Sequence, residues 1–268
     1  MRSGAHAVMV AASVAASIAA SADAAPAAAP DFTGFWQHTP LAEYEAVPGQ
    51  PAPVWDRKHP IDLTDFSIAW EGNAANPILR PETAEEVRRH TAAALAGRPI
   101  PSPQEVCQPS GVPNVITLPA PVVFLQQPGK VTIVYQRDHQ VRHVRLNVPH
   151  STNPAHSWYG ESIGHYDGDT LVIDTVGLND KTPVDIFGTP HSDAIHVVER
   201  YRLINGGRQL EVVFTVEDPK AFTTPWAGRM VYGRGNATEI AEEVCAENNL
   251  DVLTKKQYPI PEAARPDF

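Results

Sequence analysis

The chain has 268 residues, with 31 acidic and 21 basic side chains and a formal net charge of −10. That balance, without any dense Lys/Arg block, argues against a polyanion partner, since nucleic acid binding needs a basic face. The length is enough to bury a core without staples, and neither Cys107 nor Cys245 sits in a C-x-x-C pair, which argues against a cysteine zinc site.

In chain order, Arg2, the apolar run Ala5 to Ala20 and Ala22-Asp23-Ala24 read as the charged, hydrophobic and cleavage regions of a secretory signal over residues 1–24. The run is too short for a spanning helix, so no membrane span is expected and the mature protein is expected to be periplasmic or secreted. Losing Arg2 and Asp23 removes one charge of each sign. In an oxidising compartment, two cysteines far apart in sequence predict one disulfide, Cys107 to Cys245.

The mature chain, residues 25–268, reads as a single domain. Residues 25–121 form a Pro-rich wrapping segment. It holds a short strand or aromatic anchor at Asp31–Trp36 and a helix over 82–96, opened by Pro81 and closed by Gly97 and Pro99. From Val122 the apolar pattern has period two. Strands are expected at Val122–Gln126, Lys130–Arg137, Val141–Leu146, Tyr159–Tyr166, Thr170–Thr175, Ile195–Ile204, Gln209–Val216, Ala227–Tyr232 and Thr238–Val244, with glycine-containing turns between many of them. Such a series fits an antiparallel meander, a barrel or a sandwich. The short turns at Gly129, Gly168 and Gly206-Gly207 favour a lipocalin-like or related β-barrel over 122–245, followed by a tail over 246–268.

Alternation also predicts which side chains face inward. Leu210, Val212, Phe214 and Val216 share one face. On the preceding strand Ile195, Val197, Tyr201 and Leu203 share theirs with Glu199, placing a carboxylate among apolar groups. Such an acid is either tuned for proton transfer or paired with an arginine such as Arg142 or Arg145. His196 falls on the opposite, solvated face. Ser162, Gly164 and Tyr166 share a face where the small residues either leave room for a ligand or relieve crowding.

Seven of the eleven histidines, His139, His143, His150, His156, His165, His191 and His196, lie between His139 and Glu199, which marks this stretch as the candidate chemical site. Three chemistries compete. His143, His150 and His156 with Glu199 would make a metal site for a hydrolase, although their spacing matches no tight ligand motif. Ser151, Ser162 or Ser192 would serve a serine hydrolase. Gly160-Glu161-Ser162-Ile163-Gly164 has the letters of a nucleophile elbow but runs on as a strand instead of turning into a helix. Metal-free acid–base catalysis in a lumen needs only a histidine and Glu199, and His150, ending a loop segment, is the leading imidazole, a surface-loop role being its plain alternative.

Cys107–Pro113, Arg142 through His150, Gly160 through Val172, Pro190-His191-Ser192-Asp193, Glu199-Arg200 and Asp218-Pro219-Lys220 together resemble a widespread family of secreted bacterial proteins that carry only the label hypothetical protein. The likeness implies shared architecture and export and supplies no reaction. It marks Arg142, Asn147 and His150 as positions, with asparagine where the family usually has aspartate. Late in the chain, Cys245-Ala246-Glu247-Asn248-Asn249 lacks the histidine of the family's C-H-E-G-N segment.

The expected function is a cofactor-independent lyase, isomerase or cyclase acting on a small, largely apolar, aromatic or terpenoid molecule in the lumen. No Rossmann or P-loop fingerprint is present. His150, Glu199 and His191 are the candidate catalytic groups, and Arg142, Ser162 and Tyr166 the candidate substrate-binding groups. The alternatives are a non-catalytic periplasmic binding protein and the metal-dependent hydrolase; the oligomeric state is left open.

Overall fold

A computed structural model describes residues 29–38, 44–54, 72–237, 239–250 and 256–262. The expected signal lies outside them. Ten strands are present among the described residues: β1 Gly34–His38, β2 Glu45–Ala46, β3 Val122–Gln127, β4 Lys130–Tyr135, β5 Val141–Leu146, β6 Glu161–Asp167, β7 Thr170–Val176, β8 His196–Ile204, β9 Gln209–Glu217 and β10 Trp226–Arg234. Helix α1 spans Pro81–Leu95, one residue off the expected bounds at each end, and short helices α2 (Asn114–Thr117) and α3 (Cys245–Asn248) follow.

Nine strands, β1 and β3 to β10, close into a barrel, because β1 pairs with β3 along one edge and with β10 along the other. The extra strand β2 adds to β10 through Ala46 opposite Gly228. The hairpins expected from the glycine turns form: Gly129 and Gly168 take φ of +74° and +60°, the left-handed region that glycine occupies without a Cβ clash.

Two expectations change. The stretch expected to be a strand at Thr238–Val244 has no strand over residues 239–244. Its place beside β10 is taken by β1, from the segment expected only to wrap the barrel, and β2 pairs with the same strand further along. The barrel is also not a pure antiparallel meander. β5 and β6 are parallel, with Val144 opposite Ser162 and Leu146 opposite Gly164. Parallel neighbours need a crossover, and residues 147–160 supply it.

The lumen is filled. Trp36, Phe124, Ile133, Leu171, Ile173, Leu210, Phe214 and Trp226 are fully buried in one cluster with Phe32 and Tyr201. Phe214 lies over Gly228 so closely that a Cβ there would come 2.4 Å from Cζ of its ring. This is the interior of a small barrel whose inward side chains interdigitate, which is expected when strand number leaves only side-chain room. Outside the barrel, the Cys107–Cys245 disulfide forms as expected and ties the 3₁₀ turn Pro103–Val106 to α3.

Candidate functional site

Glu199 faces inward, as the alternation on β8 predicts, and is completely buried. Its partner is Arg142 of β5, whose Nη1 donates to Oε1 at 3.0 Å and whose Nη2 donates to Oε2. The remaining donors of the guanidinium are also engaged: Nε with Ser162 Oγ at 2.8 Å, and Nη2 with Thr175 Oγ1. Tyr201 donates its hydroxyl to Glu199 Oε1 at 2.8 Å. Burial by itself would disfavour the Arg142 cation, yet the adjoining Glu199 carboxylate holds its pKa above the ordinary value. Burial, with Glu199 among the neighbouring charges, pushes the Tyr135 phenol up to about 12. This is a saturated polar knot in an apolar core, with each charge matched.

Because Glu199, Ser162, Thr175 and Tyr135 together take up the guanidinium N–H groups, no donor of Arg142 is left to anchor an anionic substrate. Ser162 is buried, accepts from Arg142 and lies 3.0 Å from Thr175 Oγ1. Gly164 answers the question left open by the sequence: a Cβ there would meet Val172 O at 2.8 Å and Val144 Cγ1 at 2.9 Å, so its smallness relieves crowding. Tyr166 stacks on Phe32 with ring centroids 6.5 Å apart, and its hydroxyl accepts from Gln126 Nε2 at 2.7 Å.

His150 is not beside Glu199. It lies in the 147–160 crossover, which Asn147 (φ +58°) starts by donating its N–H to Gly164 O. From there His150 sets its ring against Glu161 of β6 and Asp174 of β7. The sequence neighbours of those acids, Ser162 and Thr175, point into the barrel, so by alternation both carboxylates stand on the outer wall. Glu199 is inside that wall.

On the wall the side chains form a row. Glu161 Oε1 lies 3.0 Å from His150 Nδ1, and His150 Nε2 lies 3.0 Å from Asp174 Oδ1. The same Oδ1 lies 2.9 Å from His196 Nε2, and His196 Nδ1 is 3.6 Å from Glu217 Oε2. One carboxylate oxygen is thus shared by two imidazoles, each with a second acid behind it. Side-chain exposures of 22% for His150, 33% for His196 and 37% for Asp174 leave the row reachable from solvent. Glu161 is fixed from the crossover: Ser151 gives it both its N–H and its Oγ–H, and Arg145 contacts Oε2 at 2.8 Å. Those bonds, Ser151 first and then His150 and Arg145, hold the Glu161 carboxyl down at about 2. It stays an anion across the working range.

The other expected groups stand apart. His191 is buried in the loop before β8, with Nε2 3.0 Å from Thr182 Oγ1 and Nδ1 2.9 Å from the Ser192 carbonyl. A carbonyl only accepts, so Nδ1 carries the proton and Nε2 receives the threonine hydroxyl; burial lowers the His191 pKa. Ser192 itself is held by Asp218 through both N–H and Oγ. His143 lies near Thr132 Oγ1 and His156 against the Leu178 carbonyl. The four groups expected around a metal are therefore dispersed, and among the described residues no three His, Cys, Asp or Glu side chains are arranged to hold an ion. Two hollows among the described residues lie away from the lumen. One is a groove of about 310 Å³ at Glu45, Gln209 and Arg229, the other a hollow of about 70 Å³ beside the disulfide.

Sequence reasoning missed Asp174 and discounted His196. The available signal was a carboxylate and a histidine on the solvent faces of adjacent strands; their meeting depends on register, which alternation within one strand does not fix. No family model matches the chain, and no curated protein is similar to it.

Proposed function

We propose that this is an exported acid–base enzyme of the lyase or isomerase type, whose proton-transferring groups sit on the outer wall of the barrel and not in its lumen. The observation that carries the reading is the sharing of Asp174 Oδ1 by His150 Nε2 and His196 Nε2 at 3.0 and 2.9 Å. An imidazole backed by a carboxylate is oriented and keeps an acceptor for the proton it takes up. Both ring nitrogens of His150 face carboxylates, so the proton would pass through His196: its Nδ1, 3.6 Å from Glu217 Oε2, would take it from the substrate and return it at a neighbouring atom, while His150 orients the shared Asp174. Ile163 and Val198 flank Asp174 in the register of β6 to β8, and Val148 is exposed on the crossover, which suits a small, largely apolar molecule lying across the row. Export is supported by the leader-like N-terminus and by the disulfide.

Native mass spectrometry of the mature protein would identify a retained organic molecule, and compounds of its class would be screened for turnover. General acid–base groups typically contribute about 10²–10⁴-fold, so His196→Ala is expected to lower kcat by that order and His150→Ala, which loosens Asp174, by a smaller factor. Unchanged turnover in both variants would overturn the assignment, and stoichiometric binding without product would make the same wall a carrier site.

A further inference from the structure

The loop from Thr182 to His191 carries a buried acid that the proposed reaction does not use. Its ends are pinned together: Pro183 bridges Pro190, Val184 N–H donates to Thr189 O at 2.8 Å, and Thr182 Oγ1 meets His191 Nε2. Between these ends the tip packs on α1. Phe187 is buried, meeting Val87 of α1 across Gly72, where a Cβ would come 2.7 Å from Val87 Cγ1 and 3.1 Å from Phe187 Cβ. Gly188, at φ +75°, lies under the His90 ring, and a Cβ on it would come 2.4 Å from Nδ1.

Inside this tip Asp185 is 1% exposed. Oδ1 accepts from the N–H groups of Phe187 and Thr189 at 3.0 and 3.1 Å, whereas Oδ2 is buried with no hydrogen-bond partner among the described residues. A buried ionised carboxylate with one bare oxygen is costly, while a protonated one is far less so. We propose that the 184–189 tip is a pH-operated latch on α1, seated when Asp185 is protonated and released when it ionises.

Among the described residues, the titratable groups facing the tip are few. From α1 there are His90 and, behind it, Glu86 at 3.4 Å and Arg89; from the loop itself there is His191. Burial raises the Asp185 pKa to about 6, against the lowering effect of the Thr189 and Phe187 bonds. Between the ordinary 3.8 and about 6, the seated tip holds a proton that a released tip gives up, so seating strengthens as pH falls through 6 and weakens above it. His90 works against this further into acid. Burial lowers its pKa, so protonating it would unseat the helix side of the same contact.

Hydrogen exchange read on the amides of Phe187 and Thr189 tests the latch in the intact, oxidised protein. After correction for intrinsic exchange, protection is expected to be about tenfold greater at pH 5 than at pH 7.5, the factor that a two-unit shift gives over this interval. Asp185→Asn is expected to abolish that difference. Equal protection at the two pH values in the wild type, or a difference that survives in Asp185→Asn, would overturn the proposal. Should the variant fail to fold, infrared spectroscopy of the wild type decides: a protonated carboxyl band lost as pH rises through about 6 supports the latch, and its absence at pH 5 overturns it.

Discussion

At the residue scale, the Arg142–Glu199 pair shows how a polar knot survives in an apolar barrel. Each charge is desolvated, and the loss is offset by a two-point ion pair and by Ser162, Thr175 and Tyr201, which take up the remaining donor and acceptor capacity. Removing one partner strands the other. Arg142→Met is expected to destabilise the fold by about 3–5 kcal/mol in denaturant unfolding, whereas Arg142→Met with Glu199→Leu is expected to cost much less than the two single changes together. Additive losses would show that the pair is not coupled. The inward place of Glu199 was legible because an acid interrupts a clean period-two face, and Arg142 was one of two arginines offered as its partner. His150 beside Asp174 and His196 was not legible, because three chain segments meet there and only register and the crossover path bring them together.

At the scale of elements, most strands after Val122 followed from alternation and turn residues, Thr238–Val244 excepted, but the pairings that close the barrel did not. Hairpins across Gly129, Gly168 and Gly206-Gly207 join sequence neighbours, so their antiparallel pairing could be read locally. The β5–β6 pair is parallel across a 14-residue connection, and β1 closes the barrel from nearly ninety residues before β3; neither leaves a local signature. The crossover has a consequence for packing. Where β5 and β6 run side by side, Gly164 sits under Val144 and Leu146 on one side and the Val172 carbonyl on the other. Gly164→Ala is expected to cost about 1–3 kcal/mol in urea unfolding, the usual cost of overpacking, even though alanine has the better strand propensity. A neutral result would mean that this seam yields, and the barrel wall would then be softer than its packing implies.

For the whole molecule, closure and cross-linking act on different parts of the chain. The barrel closes through β1, but residues 239–250, which follow β10, pair with no barrel strand and instead return to the Pro103–Val106 turn through Cys245 and Cys107. Arg137 of the β4–β5 connection reaches Glu243 at 3.0 Å in the same region. That exposed pair contributes little, so the disulfide is the principal tether. It spans 138 residues and encloses β3 to β10, so its loss frees nearly the whole barrel sequence in the unfolded state. Chain entropy for a loop of that length is worth about 5 kcal/mol. Unfolding in urea with and without reductant is therefore expected to show a large drop in midpoint, with native strand content retained at low denaturant because the core of the barrel contains neither cysteine. If reduction left the midpoint unchanged, the terminal segment would be held by its own packing and the disulfide would be incidental to the fold. If the strands themselves were lost in buffer, the barrel would depend on the tether to stay closed.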